Sequence, residues 1–251
     1  MRNLNRRPSQ TIAYGPSEHQ VGDLYLPNAG YAPVICLLHG GFWRMPYGRD
    51  NIEPVGRDLV DRGFAVWNLE YRRLGVPGGG WPGTLQDVAE GIGHLAALAE
   101  ETDAMDMNRV SVVGHSAGGH LALWAAKQGQ ERVRISAAVG LAAVSDLRLA
   151  HELHCGSGAV EALLGGSPEE RPQRYEAASP AERLPLGVKQ LLIHGTYDED
   201  VPVEISRRYA RAADAAGDDV YFIELANASH MDFVNPKSEA HAVLCRWLKD
   251  Q

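Results

Sequence analysis

The chain has 251 residues, 45% of them hydrophobic and 22% charged, with a formal net charge of −8. That length suits one large domain with a sizeable core, and the acidic balance excludes nucleic acid or an anionic membrane as the main partner. Three widely separated cysteines, Cys36, Cys155 and Cys245, fit reduced thiols and not a disulfide framework. The basic start, Met1 to Pro8, lacks the apolar stretch of a secretory signal, and no segment approaches the roughly 18 apolar residues of a membrane span. The expected location is therefore cytoplasmic, with no membrane partner.

Residues 1 to about 18 read as a loosely structured arm. Val21 to Leu26 alternates enough to form a strand, stopped by Pro27 and Asn28. Val34 to Leu38 is continuously apolar, as a strand covered on both faces should be, and it runs into His39-Gly40-Gly41-Phe42-Trp43. Ile52, Val55 and Leu59 have helical spacing, and Gly63 stops that helix. Phe64 to Leu69 is the next strand. After a glycine-rich loop from Tyr71 to Trp81, Pro82 opens a helix whose buried stripe is Leu85, Val88, Ile92, Leu95 and Leu98.

Val110, Val112 and Val113 form a β-branched strand that ends in Gly114-His115-Ser116-Ala117-Gly118, a G-x-S-x-G pattern. A strand turning sharply into a helix leaves no room for Cβ atoms beside the turning residue, which accounts for the glycines. The turn presents the Ser116 hydroxyl at a helix N-terminus, and Leu121 to Ala125 continues that helix. Ile135 to Leu141 is another strand. Residues 145 to 187 break the rhythm, with only Ala159 to Leu164 helical, and read as a cap-like insertion within a single domain spanning 1–251. Strand Gln190 to His194, helix Val203 to Ala216, strand Val220 to Leu225 and a helix from Ser238 to Lys249 complete the chain. Alternating strands and helices predict an α/β fold with a mostly parallel sheet covered on both faces.

A serine hydroxyl needs a base to take its proton and a third group to hold that base. Two later strands lead into loops that supply both types. The first holds Asp198, Glu199 and Asp200, and the second holds His230 and Asp232. The order Ser116, acid, histidine resembles the α/β-hydrolase fold over residues 20 to 249. Within that fold, His39-Gly40-Gly41-Phe42-Trp43 is similar to the H-G-G-x-W signature of kynurenine formamidases and related small carboxylesterases.

The resemblance implies that Ser116 is the nucleophile, His230 the general base and Asp198, four residues before Pro202, the group that orients it. Asp200 and Asp232 are read as helix caps. The resemblance further implies an oxyanion hole from the backbone N–H groups of Ala117, Gly41 and Phe42. Phe42, Trp43, Tyr47 and Trp81, with Tyr197, are expected to line a substrate pocket suited to a flat or apolar group.

The glycine run Gly78 to Gly83 does not sit between a strand and a helix start, so no nucleotide is expected there. His151 and His154 lack a second ligand cluster, so no metal and no other cofactor is expected. His115 and His120 are read as positional, and His39 as a brace for the glycine loop.

The expected activity is hydrolysis of small carboxylic esters or aryl amides through an acyl-enzyme, by a monomer or homodimer. The alternatives are an arylformamidase acting on N-formylkynurenine and, from another class, a ligand-binding protein that kept the fold without the chemistry.

Overall fold

The computed structural model describes residues 10–28, 30–128 and 133–251. Its centre is an eight-stranded sheet. The strands are β1 (Gln10–Ala13), β2 (Val21–Tyr25), β3 (Ala32–Leu38), β4 (Ala65–Leu69), β5 (Met105–His115), β6 (Ile135–Leu141), β7 (Lys189–Gly195) and β8 (Val220–Leu225). They lie in the order β1-β2-β4-β3-β5-β6-β7-β8. Strands β1 and β2 pair antiparallel, as do β2 and β4, and every later neighbour is parallel.

The period-two alternation of the strands sorts side chains to two faces. Val34, Cys36 and Leu38 pack on one face with Leu85, Val88 and Ile92 of α2 (Gly83–Gly93), Leu95 of α3 (Leu95–Glu101) and Leu121 of α4 (Ala117–Ala126). Ile35 and Leu37 pack on the other face with Val55 and Leu59 of α1 (Glu53–Asp61). The three cysteines are buried and free.

Two expectations need correction. Part of the arm expected to be loose, Gln10–Ala13, is the edge strand β1, with Thr11 opposite Asp23 and bonded to it at 2.6 Å. Residues 1–9 lie outside the described residues. Between 145 and 187 there is more helix than the spacing suggested: α5 (Leu147–Glu152), α6 (Ala159–Leu164), α7 (Pro172–Ala178) and a 3-10 turn at Pro180–Arg183. Their helical signal is weak because each runs seven residues or fewer, too short to show a periodic stripe. Asp146 starts α5 by accepting from the Leu149 N–H at 3.0 Å, and α6 buries Val160, Leu163 and Leu164 against the main core.

The chain ends with α8 (Glu204–Ala215), which buries Tyr209 and Ala213, and α9 (Glu239–Lys249), which packs Leu244 and Leu248 beside α1. The register brings Leu38 level with Gly114, His115 with Leu141, and Gly195 with Leu225. Ser116, Asp198 and His230 all follow the carboxyl ends of parallel strands, where open α/β sheets gather their ligand-binding loops.

Candidate active site

Ser116 is the first residue beyond β5 and sits at φ 55°, ψ −118°. That left-handed geometry is costly for a residue with a side chain, by roughly 1–3 kcal/mol, and persists only where the surroundings enforce it. Here they do. The Ser116 N–H donates to the Leu141 carbonyl at 2.8 Å, and the Ser116 carbonyl accepts from His120 at 3.0 Å. A Cβ on Gly114 would overlap the carbonyl of Gly118, and a Cβ on Gly118 would overlap the carbonyls of Leu38 and His39. Both glycines of the motif are thus sterically required. Ser116 is 1% exposed, and its Oγ finds no hydrogen-bond partner among the described residues, His230 included. A buried hydroxyl left unpartnered is costly, and catalytic hydrogen bonds in unliganded sites commonly tighten only when substrate arrives.

His230 opens a 3-10 turn, His230–Val234. Its Nδ1 lies 2.7 Å from Asp198 Oδ2. Nδ1 therefore carries the proton that it donates to the carboxylate, and Nε2 keeps its lone pair. Asp198 is fully buried at its side chain and takes donors on both oxygens. Oδ1 accepts the N–H groups of Asp200 at 3.0 Å and Val201 at 2.8 Å, and Oδ2 also lies 3.2 Å from His194 Nε2. Burial pushes the Asp198 carboxyl up, but the hydrogen bonds from His194 and His230 outweigh it and hold the group well below the usual carboxylate range.

The loops carrying these two residues are knitted together. Thr196 N–H donates to Leu225 O at 3.0 Å, Tyr197 N–H to Ala228 O at 3.1 Å, and Asn227 N–H to Thr196 Oγ1 at 2.9 Å. His115, the residue before the serine, donates from Nε2 to the His230 carbonyl at 3.0 Å, with ring centroids 4.5 Å apart. Burial first, and the neighbouring His230 next, lower its pKa to about 3, so this ring is neutral. Strands β5 and β8 are three positions apart in the sheet, roughly 14 Å. The His115 bond is one of the ties that span that gap.

The loop after β3 closes the other side. Gly41, Phe42 and Trp43 all have positive φ, at 106°, 51° and 55°. Gly41 has no alternative, because a Cβ there would strike the Tyr47 side chain, and a Cβ on Gly40 would come within 3.1 Å of Ser116 Cβ. Among the described residues, no hydrogen bond takes the backbone N–H of Gly41, Phe42 or Ala117. His39 braces this loop. Its Nδ1 lies 2.7 Å from Gly40 O and its Nε2 2.8 Å from Glu70 Oε1, with the ring stacked on Tyr71 at 4.3 Å. Burial pushes Glu70 up, but the hydrogen bond from His39 leads a set of opposing contacts that leave its pKa lowered.

Gly41, Phe42, Tyr47, Ser116 and His230 line one cavity of about 310 Å³, together with Asn51, Ile52, Met231 and Val234. Of the aromatic residues expected there, Phe42 and Tyr47 line it. Trp43 is 1% exposed and donates its indole N–H to His120 Nδ1 at 3.2 Å, inside the main core. Trp81 packs against that same core. A loop-borne indole whose N–H finds a buried acceptor gains more from the core than from a wet pocket. Tyr197 is exposed on a neighbouring cavity with Met231.

Asp200 is not a cap either. It is exposed beside the cavity, and Val203 precedes α8 without a side-chain cap. Asp232 does cap, but it caps the 3-10 turn of His230, accepting from Ser229 N–H at 2.7 Å. The sequence reading missed His194, whose place four residues before Asp198 was a usable signal. It also missed Met231 and Val234, which share one turn with His230.

Two groups of metal-ligating side chains occur among the described residues: Asp58, His241 and Cys245, and Asp198, Asp200 and His230. Each contains a carboxylate–imidazole pair at 2.7 Å. Two ligands of one tetrahedral zinc ion stand about 3.3 Å apart, so both pairs are spaced as hydrogen bonds.

Comparison with known proteins gives the family and the fold. The BD-FAE family model matches residues 22–212. The isoprenylcysteine alpha-carbonyl methylesterase ICME of Arabidopsis thaliana is 27% identical over 252 residues, covering 91% of this chain and 58% of its own length. Esterase LipC of Mycobacterium tuberculosis is 27% identical, covering 92% and 62%. The chain thus spans about six-tenths of the length of these curated relatives. Among solved structures, an acetyl ester-xyloside bifunctional hydrolase from Caldicellulosiruptor lactoaceticus superposes with a TM-score of 0.80 at 22% identity, covering 99% of this chain and 98% of that one. The propionate-bound esterase Est2 of Thermogutta terrifontis gives 0.76 at 21% identity, covering 97% and 93%. The fold is that of the α/β-hydrolases.

Proposed function

The chain belongs to the BD-FAE family, and from that premise we propose that it is a serine hydrolase of small carboxylic esters. Ser116 Oγ attacks the ester carbonyl, and His230 Nε2 takes its proton. The imidazolium so formed is stabilised by Asp198, and it passes the proton to the departing alkoxide. Water then cleaves the acyl group from Ser116 by the same relay in reverse. The N–H groups of Gly41, Phe42 and Ala117 receive the oxyanion, each donor lowering the barrier by roughly 3 kcal/mol.

One observation carries this reading. A buried, unpartnered serine hydroxyl shares a cavity wall with a histidine whose Nδ1 is committed to a carboxylate. Uncommitted backbone donors beside it supply the second half of the machinery. At about 310 Å³ the cavity lies near the lower end for ligand pockets and suits a short acyl group. Exposed Tyr47 and Met231 line it, exposed Leu153 and Tyr197 line the two neighbouring cavities that share Asp200 with it, and together they suit an apolar portion of the substrate lying outside.

The relatives named above are ester hydrolases, and the kynurenine formamidase reading draws no support from them. A binding protein that had lost the chemistry would be expected to lack a member of the triad or the oxyanion loop, and here each has a candidate.

The test is hydrolysis of p-nitrophenyl acetate with labelling by a fluorophosphonate. Ser116→Ala should lose at least about a thousandfold in kcat and take no label. A variant keeping more than a few per cent of the activity would refute the mechanism.

A further inference from the structure

Asp200 lines three neighbouring cavities, the first and third of which also take in His230. They are the one at Ser116, a second of about 470 Å³ beside Arg44 and Cys155, and a third of about 620 Å³ beside Tyr197 and Met231. The Asp200 backbone N–H is held by Asp198 Oδ1 at 3.0 Å, which fixes the residue in place. Its carboxylate has no hydrogen bond or ion pair among the described residues, and a carboxylate oxygen lies within 4.8 Å of a ring nitrogen of His230. Among the described residues, Arg44 is the only Lys or Arg in the three walls. It sits in the second cavity, donating to the carbonyls of Gly156 and Ser157 at 3.3 and 3.4 Å. The cavity at Ser116 therefore has an acidic edge without a matching cation, next to a buried hydroxyl that has no partner of its own.

We propose that Asp200 is a specificity-determining residue that filters substrates by charge, favouring neutral and cationic esters over esters with an anion near the scissile bond. This rests on the reading of Ser116 as the nucleophile. An uncompensated carboxylate facing a second anion about 6 Å away across a partly hydrated mouth disfavours it roughly tenfold. A cation at the same place is favoured. The oxyanion of the reaction itself is spared, because the N–H groups of Gly41, Phe42 and Ala117 receive its charge.

The test uses three p-nitrophenyl esters of matched length: the butyrate, the anionic hemisuccinate and the cationic 3-(trimethylammonio)propionate. Asp200 also faces His230, so its replacement can move all three rates together. The ratios of kcat/KM, corrected for the uncatalysed reactivity of each ester, isolate the filter. The wild type should prefer the butyrate to the hemisuccinate by about tenfold at low salt, and less in about 1 M salt. Asp200→Asn should bring the ratio close to one and remove its salt dependence, and Asp200→Lys should invert it. A ratio that Asp200→Asn moves by less than twofold, or that Glu199→Gln alone abolishes, overturns the proposal. Failure of the underlying mechanism looks different: no ester of any charge is turned over, and Ser116 takes no fluorophosphonate label.

Discussion

Replacing Asp198 by asparagine probes the proposed proton relay with almost no change in shape. The carboxylate accepts from His230 on Oδ2 and from the N–H groups of Asp200 and Val201 on Oδ1, and Oδ2 also lies 3.2 Å from His194 Nε2, whose N–H is shared with the Val201 carbonyl at 2.8 Å. An amide offers one acceptor end and one donor end, so either orientation sets an NH2 against N–H groups. A backbone N–H cannot give up its proton, whereas an imidazole can shift its own to the other nitrogen. The amide oxygen therefore keeps Asp200 and Val201, and the NH2 turns towards the histidines. His230 then accepts at Nδ1 and carries its proton on Nε2, facing the serine with no lone pair to act as a base.

The expected loss is about 10³–10⁴ in kcat near neutral pH, the scale associated with a wrong tautomer in a serine triad, equivalent to about 4–5.5 kcal/mol. Stability should fall by a further ~1–3 kcal/mol for the donors left unsatisfied. Stopped assays on p-nitrophenyl acetate read the first effect and thermal unfolding the second. Proton NMR supplies a third readout, since a low-field resonance from the His230 Nδ1 proton should be present in the wild type and absent in the variant. A loss below tenfold, or a low-field resonance that survives the substitution, would refute this account of Asp198.

The remaining predictions concern the frame around the relay. Glu70→Gln should lower the melting temperature at pH 7, with the gap closing in acid: a carboxyl whose folded pKa is depressed stabilises above its unfolded value near 4.3 and loses that contribution as the pH falls through the folded value. An equal gap at pH 7 and pH 3 would contradict it. Ser116→Gly should melt about 2–4 °C above Ser116→Ala, because glycine relieves the positive φ and alanine does not. Scanning calorimetry of the two variants decides the point. Gly118→Ala, whose Cβ would overlap two backbone carbonyls, should cost at least about 3 kcal/mol or prevent folding, while Gly56→Ala in α1, against a flexible Leu37 side chain at 3.2 Å, should stay within about 1 kcal/mol. His115→Phe keeps the ring but loses the donor to the His230 carbonyl, and should cost about 1–3 kcal/mol of stability together with a fall in kcat at unchanged KM.

The parts of the site legible in the sequence are those where backbone geometry dictates residue type. Gly114 and Gly118 could be read because no other residue fits the turn. The loops that carry Asp198 and His230 could be read because parallel strands must deliver their reactive loops at one edge, while the choice of Asp198 over Asp200 is what the family resemblance implies. The errors came from side chains whose position depends on a distant partner. Trp43 and Trp81 looked like pocket residues because they sit on loops near the glycines, yet nothing local reveals that the Trp43 indole has an acceptor at His120, 77 residues on. Asp200 stands where a cap would stand, and only the start of α8 at Glu204 shows that it caps nothing. His115 is conspicuous beside the serine, but its bond to the His230 carbonyl spans 115 residues and is invisible to any local pattern. The helices between 145 and 187 failed for a different reason, since they are too short to carry a period.

The stitching between the loops that follow β7 and β8 has a practical consequence. Three hydrogen bonds, from Thr196, Tyr197 and Asn227, hold the carboxylate and the imidazole of the relay on what amounts to one cassette. Side chains that hang from its outer surface or from neighbouring segments, such as Tyr197, Met231 and Leu153, can be diversified in a library while the cassette is left intact. New substrate preferences could then be sought without first rebuilding the relay.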